Sequence, residues 1–244
     1  MNIFKNKIIL ITGASFGIGE TFAYRLNDLG ANLILTARSK DKLDKMALEM
    51  KHAQVISGDL SDPMFPDVLY SEIKKMNLTV DILINNAGFG FSGLFLDSSM
   101  KNYEEMLNVN VFSLTKLTHL FLKDMVSNKK GGIINISSLA SFQPIPYFSI
   151  YAATKAYVTS FTMSLYEEYR DEGLIVLGFP SNDFFQEFTE EEKVKEYCRT
   201  NYKAPKNLHI FQLVFQELKI YRMHRKNLEI SALFTLKCQM RLNM

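Results

Sequence analysis

The chain contains no tryptophan and only two cysteines, Cys198 and Cys238, which stand in no CxxC or metal-ligand spacing. That excludes a zinc–thiolate centre or a disulfide framework, and the default setting is reducing and cytoplasmic. No apolar run approaches the roughly 20 residues that a membrane-spanning helix needs. The opening Met1-Asn2-Ile3-Phe4-Lys5 passes into a strand pattern too soon for a signal peptide, so the expectation is a soluble protein with no membrane partner. Charge of one sign is also missing: 28 Lys and Arg face 26 Asp and Glu, for a net charge of +2. Nothing there marks a nucleic-acid partner. His52, His119, His209 and His224 show no ligand spacing, so no metal is expected. Glycine is absent from one region only. All 12 glycines lie at or before Gly178, and residues 179–244 have none. An α/β domain uses glycine in its tight turns, so this last quarter is compositionally foreign to the rest.

What is present is an alternation of short apolar runs with longer helical patterns. Strands are predicted at Lys7–Thr12, Asn32–Ala37, Gln54–Ser57, Val80–Ile84, Gly132–Ile136 and Leu174–Gly178. Helical spacing fills Ile18–Leu29 (closed by Gly30), Lys40–Met50, a stretch opened by Pro63 and closed near Asn77, Met100 to Met125, and Ile150–Arg170. Continuous apolar strands alternating with helices imply a doubly wound parallel sheet of the Rossmann type, with helices on both faces. Such sheets bind ligands outside the carboxyl ends of their strands. A length of 244 residues suits one such domain, residues 1–244, with 179–244 as an atypical C-terminal region.

Thr12-Gly13-Ala14-Ser15-Phe16-Gly17-Ile18-Gly19 follows the first strand and opens the first helix. Its glycines permit a sharp turn and close approach to a pyrophosphate, and the helix N-terminus offers free N–H groups to that anion. Gly13, Ser15, Phe16, Gly17, Ile18 and Gly19 are therefore candidate cofactor-binding residues. An acid at the tip of the second strand would hold the adenosine ribose hydroxyls of NAD. This chain has Thr36-Ala37-Arg38-Ser39-Lys40 instead. The guanidinium of Arg38 suits a 2′-phosphate, which favours NADP over NAD; the alternative is that Arg38 is a solvated surface residue.

Tyr151 and Lys155 are four apart on a predicted helix, on one face. A free phenol has a pKa near 10. An ammonium about 4 Å away, at an effective dielectric of about 20, is worth roughly 4 kcal/mol, or about three pKa units. That brings the phenol into the range of acid–base catalysis. A plain surface Tyr–Lys pair has the same spacing.

Taken in order, Thr12-Gly13-x-x-x-Gly17-x-Gly19, Asn85-Asn86-Ala87-Gly88, Asn110, Ser138 and Tyr151-x-x-x-Lys155 resemble the short-chain dehydrogenase/reductase family, over Lys5 to about Gly178. The resemblance implies that Tyr151 is the general acid, that Lys155 lowers its pKa and holds the nicotinamide ribose, and that Ser138 orients the carbonyl, with Ser137 the competing candidate. It implies that Asn110 anchors a proton-relay water. Asp59 and its neighbour Leu60 would contact adenine, and Asn86, Ala87 and Gly88 would border the adenosine ribose. A homodimer or homotetramer and a small-molecule carbonyl or alcohol substrate follow from the same likeness.

The pattern then breaks. The family's sixth strand leads into a Pro-Gly loop with a threonine that touches the nicotinamide amide. Here Pro180 fits, Ser181 replaces glycine and Phe185 stands near the threonine position. Residues from Leu165 to Tyr202 also resemble a central segment of glutathione peroxidases, including Phe179-Pro180-Ser181-Asn182. Asp183 stands where that family carries glutamine, and its peroxidatic cysteine is missing. The C-terminal region thus reads as a junction of two gene fragments or as a shifted reading frame. The expected function is NADP(H)-dependent carbonyl reduction or alcohol oxidation. The alternative is a cofactor-binding protein whose abnormal nicotinamide loop prevents turnover.

Overall fold

The central apolar runs become strands because each can be covered on both sides. The computed structural model describes residues 2–181. Its strands are β1 (Ile8–Thr12), β2 (Asn32–Thr36), β3 (Ala53–Val55), β4 (Ile82–Asn85), β5 (Gly131–Ser138) and β6 (Leu174–Ser181), in the spatial order β3-β2-β1-β4-β5-β6. The ladders joining β3 to β2, β2 to β1, β1 to β4 and β4 to β5 are all parallel. Ile9, Leu10 and Ile11 are fully buried, as residues of a central strand with helices over both faces must be.

Helix α1 (Gly17–Asp28) buries Gly19, Phe22, Ala23 and Leu26, an i, i+3, i+4, i+7 stripe. Helices α2 (Lys40–Leu48) and α3 (Phe65–Lys75) follow their strands in the same way. Pro63 does not open α3. It stands in a preceding turn, where the Asp62 carboxylate accepts the Met64 N–H at 2.9 Å, and the proline in the first helical turn is Pro66. The stretch expected as one helix from Met100 to Met125 is two, α4 (Met100–Leu107) and α5 (Leu114–Ser127), joined by a π-helical turn at Asn108–Ser113. Helix α6 (Ser149–Tyr169) buries Tyr151, Ala152, Thr154, Lys155, Val158, Thr162 and Leu165.

Strand β6 runs on through Pro180 and Ser181. The glutathione peroxidase likeness beyond Ser181 and the nicotinamide-loop position Phe185 lie outside the described residues. Among the described residues no helix is long and apolar enough to cross a membrane.

Candidate active site

The strand order reverses between β1 and β4, so their carboxyl ends diverge into a crevice. One hydroxyl ties the two ends together. Thr12 Oγ1, at the end of β1, accepts the N–H groups of Asn86 and Ala87 at 2.9 and 3.0 Å. Asn86 returns the contact, its Nδ2 donating to the Thr12 and Gly13 carbonyls at 3.0 and 3.2 Å. The Asn86-Ala87-Gly88 strip is thereby fixed against the glycine turn.

That turn has the features a dinucleotide phosphate needs. Gly13 and Gly17 have φ of +63° and +55°, which side-chain-bearing residues rarely adopt. Nothing lies within 4 Å of where a Gly17 Cβ would stand, so the turn is open above. Phe16 stands at the N-cap of α1 without a side-chain capping bond, which leaves first-turn N–H groups for an outside acceptor. Ser15 is buried, Ile18 half-buried and Phe16 exposed, with Lys42 Nζ 3.7 Å above the Phe16 ring. Arg38 is exposed just past β2, and among the described residues no carboxylate pairs with it. Ser39 caps nothing with its hydroxyl. The open turn and its free N–H groups fit a dinucleotide pyrophosphate.

On the other side of the crevice, α6 carries the candidate pair Tyr151 and Lys155 on its buried stripe. Tyr151 and Lys155 are 4% and 5% exposed. Lys155 Nζ donates to the Ile136 carbonyl at 2.9 Å and lies 5.8 Å from the Tyr151 ring centre. Burial pushes its pKa down to about 8, still high enough for a cation at neutral pH. Gly88 passes directly over this ammonium: a Cβ there would stand 3.3 Å from Lys155 Nζ and 3.2 Å from Asn110 Oδ1.

Ser138 ends β5 and its Oγ accepts the Ala140 N–H at 3.1 Å, starting the short turn Leu139–Phe142. Its competitor Ser137 is spent, donating to the Lys155 carbonyl at 3.1 Å and bonded to Thr159 Oγ1 at 2.6 Å. Asn110 sits fully buried in the π turn, where Oδ1 accepts the Phe89 N–H at 3.1 Å. Its Nδ2 donates to the Phe89 carbonyl and to Thr154 Oγ1, at 2.9 and 3.0 Å. Both Nδ2 hydrogens are therefore used by protein partners. Asp59 Oδ1 accepts the Ser61 N–H at 2.9 Å. The Leu60 and Ser61 carbonyls are held by Ser113 and Asn108 from the same π turn, at 2.7 and 3.0 Å. Pro180 lies in β6. Among the described residues no cluster of three metal-ligating side chains forms. A cavity of about 470 Å³, lined by Ile8, Asn32 and Ala53, opens at the opposite, amino ends of the strands and plays no part in this arrangement.

Sequence reasoning missed Thr12, Thr154 and Gly90. Thr12 was visible as the residue before the glycine turn. Thr154 shows only as a β-branched residue inside Tyr-x-x-x-Lys. Gly90 carries no local signal, because what needs it is the Tyr151 ring.

The profile of the family described as short chain dehydrogenase matches residues 7–180. Human very-long-chain 3-oxoacyl-CoA reductase is 37% identical over 174 residues, covering 68% of this chain and 56% of the relative. Mouse 17-beta-hydroxysteroid dehydrogenase type 3 is 36% identical over 177 residues, with the same coverage. The chain thus spans about half the length of the curated relatives it matches. Among solved structures, a short-chain dehydrogenase from Sphingobium yanoikuyae in complex with NADPH superposes with a TM-score of 0.67 at 33% identity, covering 70% of this chain and 69% of the other. A metagenomic short-chain oxidoreductase in complex with NADP gives a TM-score of 0.67 at 29% identity, with coverage of 72% and 80%.

Proposed function

Since this chain belongs to the short chain dehydrogenase family, we propose that it is an NADP(H)-dependent oxidoreductase acting on a carbonyl or the corresponding secondary alcohol. The observation that carries the reading is the burial of Tyr151 and Lys155 together, against Gly90 and Gly88. When bound, the nicotinamide supplies or accepts the hydride. Tyr151 gives its phenolic proton to the carbonyl oxygen, or takes it back in the reverse direction. Lys155 favours the phenolate through its charge, and Ser138 donates a hydrogen bond to the same oxygen. Asn110 holds the loop at Phe89. The glycine turn with Ser15, Phe16 and Ile18 takes the pyrophosphate, Arg38 the 2′-phosphate, Asp59 and Leu60 the adenine edge, and Asn86 and Ala87 the ribose.

The substrate in this reading is apolar. Leu94, Phe95, Leu96 and Met100 are 59%, 51%, 89% and 62% exposed. Phe95 stacks on Tyr103 at 5.2 Å, and Tyr103 belongs to the same buried cluster as Tyr151. The names of the two curated relatives, a very-long-chain 3-oxoacyl-CoA reductase and a hydroxysteroid dehydrogenase, point the same way. A cytoplasmic location and a homodimeric or homotetrameric state belong to the same proposal.

The test is turnover of long-chain 3-oxoacyl thioesters and steroid ketones with NADPH, with Tyr151→Phe as control. Activity in wild type that Tyr151→Phe abolishes supports the proposal. A wild type as inert as the variant ends it, and NADPH binding without turnover would favour an impaired cofactor-binding protein. Arg38→Ala is expected to weaken NADPH binding by about tenfold, one exposed charge-assisted contact, with NADH affinity unchanged. Equal affinity of variant and wild type for NADPH would remove that role from Arg38.

A further inference from the structure

We propose that Thr154 is a positioning residue, whose hydroxyl sets the distance between the catalytic helix and the loop above it. The inference rests on the oxidoreductase reading. Thr154 is 1% exposed, and its Oγ1 is used twice. It donates to the Tyr151 carbonyl at 2.7 Å and accepts from Asn110 Nδ2 at 3.0 Å. The first bond is an ordinary back-bond within a helix. The second is not local, since it spans 44 residues.

That second bond is the third anchor of the Asn110 amide, and the one that ties it to the helix. With one Nδ2 hydrogen on Thr154, the other goes to the Phe89 carbonyl, and Oδ1 faces the Phe89 N–H. Both backbone groups of Phe89 are thus read by one side chain. The residues flanking Phe89 are the ones that touch the proton-transfer pair. A Cβ on Gly88 would stand 3.3 Å from Lys155 Nζ, and one on Gly90 would stand 2.8 Å from Tyr151 Cδ2. The chain of contacts runs from Tyr151 through Thr154, Asn110 and Phe89 and back to Tyr151 and Lys155. Without the hydroxyl, a buried Nδ2 hydrogen loses its acceptor, the amide keeps its two bonds to Phe89 but loses its tie to the helix, and the segment over the phenol loses its fixed height.

The experiment compares Thr154→Val and Thr154→Ser with wild type by steady-state kinetics, NADPH fluorescence titration and thermal unfolding. Reduction of a long-chain 3-oxoacyl thioester serves as the assay. Valine keeps the shape and removes the hydroxyl. It is expected to lower kcat by about 10- to 100-fold, the effect of a sub-ångström to 1 Å misplacement, while KM and the NADPH Kd stay within about threefold. Serine is expected to restore kcat. In the double variant with Asn110→Ala, the loss should equal that of Asn110→Ala alone, because Thr154 acts through Asn110. Unchanged kcat in Thr154→Val, additive losses in the double variant, or a serine variant as impaired as valine would each overturn the inference. Should the valine variant not fold, alanine is read by the same criteria. An inert wild type fails the oxidoreductase reading and this inference with it, whereas an active wild type with an indifferent Thr154→Val fails this inference alone.

Discussion

Gly90→Ala adds one methyl group in the worst available place. The new Cβ would lie 2.8 Å from Tyr151 Cδ2 and 3.0 Å from Cγ. Carbon atoms rest at about 3.5–4.0 Å, so the ring must withdraw by roughly 0.7–1.2 Å. It has little room to do so, because Tyr151 is 4% exposed and packed with Tyr103, Met106, Ala140 and Ala152. Overpacking of this kind costs about 1–3 kcal/mol, or a fall in Tm of about 2–12 °C for a chain of this size. Displacing the phenol by about 1 Å is expected to lower kcat on the order of 100-fold, about 2.7 kcal/mol of barrier. NADPH affinity should change by less than about threefold, since the glycine turn is untouched. Gly93→Ala is the control. Its Cβ would meet Phe91 Cε1 at a similar 2.9 Å, but the Phe91 ring is half-buried and meets the clash with its outer end. Steady-state kinetics and differential scanning fluorimetry on both variants decide the matter. Wild-type kcat and Tm in Gly90→Ala, or the same loss in Gly93→Ala, would refute the steric argument.

Lys155 makes a second prediction, in pH. Its pKa is lowered from 10.5 to about 8 by burial. Below about pH 8 folded and unfolded chains both hold the proton; between about 8 and 10.5 the folded chain releases it while the unfolded chain keeps it. The unfolded state then binds more protons, so stability rises with pH across that window, by roughly 3 kcal/mol in full. Urea unfolding of the cofactor-free protein should show this rise and Lys155→Met should lack it; identical pH profiles would contradict the assignment. Thr12→Val should leave the Asn86 and Ala87 N–H groups without their acceptor, lowering stability by about 1–3 kcal/mol and weakening NADPH binding; an unchanged denaturation midpoint would count against the tie across the crevice.

The sheet was legible because an uninterrupted apolar run bounded by glycine or a helix pattern has few fates other than a strand covered on both faces. Tyr151 and Lys155 were legible because i, i+4 spacing survives any tertiary detail. The break between α4 and α5 was not. Its cause lies in the partners of Asn108, Asn110 and Ser113, which are Ser61, Phe89 and Leu60, distant in the chain. Local periodicity carries no trace of such bonds. Pro63 and Pro66 differ by three residues, and either could open a helix by its own φ. The Asp62 carboxylate on the Met64 N–H is what assigns Pro63 to the turn. The bonds of Ser137 to Thr159 and the Lys155 carbonyl, which leave its hydroxyl hydrogen engaged, were equally invisible in the sequence.

The π turn at Asn108–Ser113 also settles a conflict of phase. Helix α4 sends Tyr103 and Met106 toward the phenol, while α5 sends Leu117, Phe121, Leu122 and Met125 into the core beneath the sheet. A regular helix advances about 100° per residue, so an unbroken run would serve one of these directions and miss the other. The wider turn acts as an angular spacer between them. Removing one residue from it would rotate α4 by about that angle against α5. The hydrophobic stripes would survive on each helix, but with α5 seated in the core, Tyr103 and Met106 of α4 would no longer meet the phenol.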